Sequence, residues 1–168
     1  VGVFSVFPLA YSIMMPALYM AIFVMLLALV FRGVAFEFRW RATHRKYLWN
    51  WAFTFGSTLA TFCQGVALGG LVQGIAVSGR AYAGSDWDWL TPFSVITGVA
   101  LVFGYALLGS TWLVLKTEGA LQARAIRYAR VAGVLTLLMI VMVSIWTPFL
   151  HEGFMAKKDI LAKWRELG

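Results

Sequence analysis

Four stretches of the chain carry no charged residue at all: 1–31, 47–79, 90–115 and 131–150. A helix rises about 1.5 Å per residue, so roughly 20 apolar residues cross a hydrocarbon layer about 30 Å thick. Each stretch is long enough for that. Only 12% of the chain is charged and 61% is hydrophobic, against about 25% charged residues in soluble domains. A water-soluble core of this size has too little interior for such an apolar surface. In lipid every backbone N–H and C=O must find its partner inside the protein, and a helix does this within one segment. The expected fold is all-α, a polytopic membrane helix bundle.

Prolines and tryptophans mark where the spans begin and end. Pro8 divides the first stretch, leaving 1–7 as the end of an earlier helix and a span at about 11–31. Pro16 lies inside that span, where neighbouring helices tolerate a kink. Trp49 and Trp51 enter a second span at about 49–71 as interfacial anchors. Pro92 suits the first turn of a third span at about 92–115. The fourth, 131–150, closes at Thr147-Pro148. In the tail, 151–168, residues Ile160, Leu161, Trp164 and Leu167 recur at helical spacing, as in an amphipathic helix lying on the membrane. The chain opens apolar on a valine and ends on charge, so it reads as a single membrane-embedded segment truncated at both ends.

The loops orient the bundle. Arg32, Arg39, Arg41, Arg45 and Lys46 follow the first span; Lys116, Arg124, Arg127 and Arg130 follow the third. These nine cations share one side. Arg80, Lys157, Lys158, Lys163 and Arg165, five in all, lie on the other. The positive-inside rule makes the richer side cytoplasmic. The formal charge of +7 then reflects topology and anionic lipid rather than nucleic acid.

The second span pairs small residues four apart: Gly65 with Gly69, and Gly70 with Gly74. Such pairs let two helix backbones approach closely. Gln64 and Gln73 need polar partners and are expected to face another helix; a polar path for protons or a small ligand is the functional alternative. No catalytic, cofactor-binding or metal-ligating residue is assigned. His44 and His151, the two histidines, lie outside the spans on opposite sides and cannot hold a haem between them. The methionines and the lone Cys63 read as packing. The spans hold no acid or base, which argues against an autonomous ion pump. Arg124, Arg127 and Arg130, three apart, form a row suited to lipid phosphate, with plain topological charge as the other reading.

The sequence "FRGVAFEFR", 31–39, ends the first span. Arg32 and Arg39 stand seven apart on one side of a continued helix, and Glu37 reaches Arg41 at i,i+4. Glu37 is expected to serve these arginines as an ion-pair partner.

This segment, followed by "LWNWAFTFGS", "GVALGGLVQG" and "LTPFSVITGVALVFGYALLGSTWLVLKTEG", resembles subunit II of cytochrome bd quinol oxidases. The matched blocks keep their order from about residue 7 to 150. The resemblance singles out Arg32, Glu37, Arg39, Trp49, Trp51, Gln73 and Gly74 as family-signature or structural positions. Some members carry an Asp between the two tryptophans; this chain has Asn50. The resemblance implies a haem-free accessory subunit of a multi-pass complex in the bacterial cytoplasmic membrane. That complex oxidises quinol and reduces dioxygen to water. Haem b and haem d are implied in the partner, subunit I, and a structural quinone in some members. An unrelated multispan transporter or channel is the alternative reading, and a lipid-bound assembly scaffold a third.

Overall fold

The computed structural model describes residues 5–42, 45–75, 77–78, 81–85 and 87–150. Four long helices make up most of it: α1 (Pro8–Arg41), α2 (Lys46–Gln73), α3 (Pro92–Lys116) and α4 (Gly119–Trp146). All four are long and apolar enough to cross a membrane, which bears out the all-α membrane bundle. The tail at 151–168, His44, His151 and Arg80 lie outside the described residues.

Two helices run well past their charge-free stretches: α1 continues from residue 31 to Arg41, and α4 begins at Gly119, ahead of residue 131, whereas α2 and α3 lie almost wholly within theirs. With 34 residues, α1 is about 50 Å long, well beyond a 30 Å hydrocarbon layer. Once a helix is nucleated, each further residue adds a hydrogen bond in water as in lipid, so the helix carries on through Arg32 to Arg41. Pro8 starts it, where a missing N–H costs nothing. Pro16 sits in its interior and leaves the Ser12 carbonyl without its usual donor.

The helices follow one another in space as in sequence, α1 on α2, α2 on α3 and α3 on α4. Small residues make the closest contacts of α1 with α2 and of α2 with α3. On α1, Ala21, Ala28 and Ala35 are buried and recur every seven residues, which keeps them on one face. Gly56 of α2 lies against the backbone of that face: a Cβ there would come within 2.8 Å of the Ala28 carbonyl oxygen.

On its other side α2 meets α3 through Gly65 and Gly69. A Cβ on Gly65 would fall 2.7 Å from the Gly98 Cα, and one on Gly69 would fall 2.6 Å from the Ser94 Cα. The α3 side is itself a small-xxx-small pair, Ser94 and Gly98, running antiparallel to the first. Val66, fully buried, packs against Gly98 between them.

Gly74 departs from the expected pairing with Gly70. Gly70 is buried against Leu18 of α1, but Gly74 caps α2 with φ 96°. It leaves the helix in a conformation that side chains avoid, so it cannot form a packing face with Gly70. The connection that follows contains a two-residue antiparallel ladder, β1 (Val77–Ser78) with β2 (Ala81–Tyr82), Val77 opposite Tyr82. At the opposite end α3 and α4 join tightly. Thr117 donates its hydroxyl to the Leu113 carbonyl at 2.7 Å, and the Gln122 amide donates to the Val114 carbonyl at 3.1 Å.

Overpacking a close backbone contact costs about 1–3 kcal/mol. Gly69→Val is therefore expected to lower the aggregation temperature of the full-length protein in mild detergent. Gly104→Ala, where nothing lies within 4 Å of the added carbon, should leave it unchanged. Equal effects of the two would contradict the α2–α3 contact.

Candidate functional site

Two polar constellations stand out, one at each end of the bundle. At the α2–α3 connection, Gln73 is the last residue of α2 and Thr91 is the N-cap of α3. Thr91 donates its hydroxyl to Gln73 Oε1 at 2.6 Å and accepts from the Ser94 N–H at 3.2 Å. The Ser94 hydroxyl lies 2.8 Å from the same Thr91 oxygen. Because the Thr91 proton goes to Gln73, Ser94 is the donor in that contact. One threonine thus ties the last residue of α2 to the start of α3 and satisfies the fully buried Ser94, which meets Gly69 in the glycine contact below it.

A cavity of about 360 Å³ opens beside this node, lined among others by Leu18, Gly70, Gln73, Tyr82, Asp88 and Thr91. The connection folds over it through its own hydrogen bonds. Tyr82 donates to the Ser85 carbonyl at 2.7 Å, and the Ser85 N–H donates to Asp88 Oδ2 at 2.8 Å. Trp87 and Trp89 stack with centroids 6.3 Å apart. Gln64 lies lower in α2 and has a long 3.5 Å contact with the Tyr105 hydroxyl. The two glutamines therefore engage different partners at different depths.

The second constellation joins α1 to α2 at the arginine-rich end. Arg39 Nε donates to Asn50 Oδ1 at 2.6 Å. The Arg32 guanidinium lies 5.5 Å from the centre of the Phe53 ring, and Phe38 stacks on Trp49 at 5.2 Å. A cleft of about 460 Å³ is lined by Phe36, Arg39, Asn50, Phe53 and Thr54. Trp51 faces outward, 71% exposed, so the two tryptophans divide into one packing residue and one anchor.

Glu37 corrects the sequence expectation. It pairs with Arg41 at 3.7 Å, as the spacing implies, with both side chains largely exposed. Arg32 and Arg39 instead find an aromatic ring and a neutral amide. Their partners sit on α2, beyond the reach of an i,i+4 rule. An exposed pair of this kind contributes only ~0.3–0.5 kcal/mol.

Arg124, Arg127 and Arg130 are exposed on α4. Among the described residues no group of three or more His, Cys, Asp or Glu comes together. Cys63 is buried beside a small groove with Ala21 and Met25. Sequence reasoning missed Ser94, Gly98, Thr91 and Gly56. The spacing of Ser94 and Gly98 was a usable signal; the Gln73–Thr91 bond, formed across a connection, had none.

The family model for cytochrome bd terminal oxidase subunit II matches residues 1–164. "Cytochrome bd-I ubiquinol oxidase subunit 2" of Escherichia coli (strain K12) is 28% identical over 166 residues, 95% of this chain and 44% of that protein. "Probable cytochrome oxidase subunit 2" of Haemophilus influenzae is 27% identical over the same shares. "Cytochrome bd ubiquinol oxidase subunit 2" of Bacillus subtilis (strain 168) is 33% identical over 132 residues, 77% of this chain and 39% of that protein. The chain thus spans less than half the length of these relatives.

Thr91→Val removes both a helix cap and the bond to Gln73, and is expected to destabilise the full-length protein by about 1–2 kcal/mol; Thr91→Ser should restore most of this in an unfolding titration. At the other end, Glu37→Gln and Arg41→Gln should have equal, small effects, and Arg39→Gln a larger one. A Glu37→Gln loss well above that of Arg41→Gln would give Glu37 a role beyond this pair.

Proposed function

The chain belongs to the cytochrome bd terminal oxidase subunit II family, and from that membership we propose that it is the structural membrane part of an accessory oxidase subunit. The complex is a terminal quinol oxidase, an oxidoreductase that oxidises quinol and reduces dioxygen to water. It resides in the bacterial cytoplasmic membrane. The partner is subunit I, which carries haem b and haem d. The observation that carries the reading is a family match along nearly the whole chain, residues 1–164, which also bears out the resemblance read from the ordered sequence blocks. The reading as an unrelated transporter or channel has no support beside it.

The packing fits such a role. The helix contacts are built from Ala, Gly and Ser, and the polar side chains at the connection bond to one another across helix ends. These features fix helix positions. A structural quinone forms part of the same reading. Its apolar tail suits the wholly apolar groove between α1 and α2, lined by Leu27, Phe31, Phe55 and Leu59 and about 390 Å³ in volume. With the arginine-rich end in the cytoplasm, protons for water would be drawn from that side while quinol releases its protons outside.

The test is to purify the full-length protein with its co-expressed neighbours and record a reduced-minus-oxidised spectrum and quinol-dependent oxygen uptake. Co-purifying b- and d-type haem bands with uptake are expected. A protein that carries no haem partner and consumes no oxygen would overturn the reading.

A further inference from the structure

The row Arg124, Arg127 and Arg130 is not absorbed by the oxidase reading, and its placement on α4 is specific. The residues of α4 that meet the bundle include the buried Ala125 and Ala132, with Gly133 beside Leu107 and Gln122 bonded to Val114. At about 100° per residue, Arg127 lies nearly opposite Ala125 and Ala132, and Arg124 and Arg130 flank it by roughly 60° on either side. The row therefore points away from α3. Among the described residues none of the three makes an ion pair or a side-chain hydrogen bond.

The same face continues as an apolar stripe. Val131, Val134, Leu138, Val141 and Ile145 are all more than half exposed and fall within the sector that the arginines mark. The arginines span about 9 Å along the axis, and the stripe below them about 21 Å.

We propose that this face of α4 binds an anionic phospholipid, its phosphodiester headgroup held by Arg124, Arg127 and Arg130 and an acyl chain laid along Val134, Leu138 and Val141. The two-part geometry distinguishes this ligand from others. A free phosphate has no use for the stripe, and a nucleic acid would meet hydrocarbon where it needs charge. Guanidinium groups suit phosphate oxygens because they donate in a fixed fork. The proposal is independent of the oxidase chemistry and holds whichever quinol is used.

The experiment uses the full-length protein with its partner subunits, delipidated in mild detergent and titrated with dioleoyl phosphatidylglycerol, dioleoyl phosphatidylcholine or inorganic phosphate. Native mass spectrometry counts bound lipid. Retention of phosphatidylglycerol over phosphatidylcholine is expected. The triple change Arg124→Gln, Arg127→Gln, Arg130→Gln should weaken it roughly tenfold or more, and the triple change to Lys, which keeps the charge but not the fork, should fall between the Gln variant and the unchanged protein. Arg41→Gln, at the other connection, should change nothing. If the triple Gln variant does not assemble, Arg127→Gln alone is judged by the same criterion, with a severalfold loss expected. Four results would overturn the proposal: unchanged phosphatidylglycerol binding in the Gln variant, equal retention of phosphatidylcholine, displacement of the lipid by inorganic phosphate, or loss of a partner protein instead of lipid from the Gln variant.

Discussion

The close approach of α2 and α3 sets the rest of the architecture. Gly65 and Gly69 bring α2 against the backbone of Gly98 and Ser94, a contact that even one methyl group would separate. In a bilayer, burying apolar surface between helices gains little over leaving it in lipid, so association depends on packing and hydrogen bonds. Small residues supply the packing, and the Thr91 node supplies the hydrogen bonds at the helix ends. Gly56 against Ala28 extends the same solution to α1. Thus α2 and α3 are the inner helices, each with two neighbours.

The two ends of the bundle are held differently. At the α2–α3 connection one threonine hydroxyl serves both helices, with a fully buried serine as third member. At the arginine-rich end, α1 and α2 are joined by a guanidinium–amide bond, a stacked ring pair and an arginine over a ring. These contacts tolerate water, as suits a helix end that projects beyond the hydrocarbon. Where the family resemblance places an Asp between the two tryptophans of some members, Asn50 gives Arg39 a neutral acceptor. The two ends hold the helices in place.

The spans were legible because charge is so costly in hydrocarbon that its absence marks them. Gly65 and Gly69 were legible because helical periodicity puts them on one face. Their partners were harder to read, since the serine of the Ser94–Gly98 pair also looks like an ordinary polar residue near a helix start. Gln73 clearly needed a partner, yet nothing local identifies Thr91 across the intervening connection. The Gly70–Gly74 pair misled because periodicity assumes that the helix continues, whereas Gly74 ends it. Glu37 misled for a related reason: helical spacing names only partners on its own helix, while Arg32 and Arg39 turn to α2.

Magic-angle-spinning NMR of the full-length protein in bilayers, labelled with ¹³C in glycine and serine, tests the central contact most directly. The account predicts a through-space cross-peak between the Gly69 Cα and the Ser94 side chain, absent in the Ser94→Ala protein. A well-folded spectrum in which sequential Gly–Ser pairs give cross-peaks and this pair does not would contradict it.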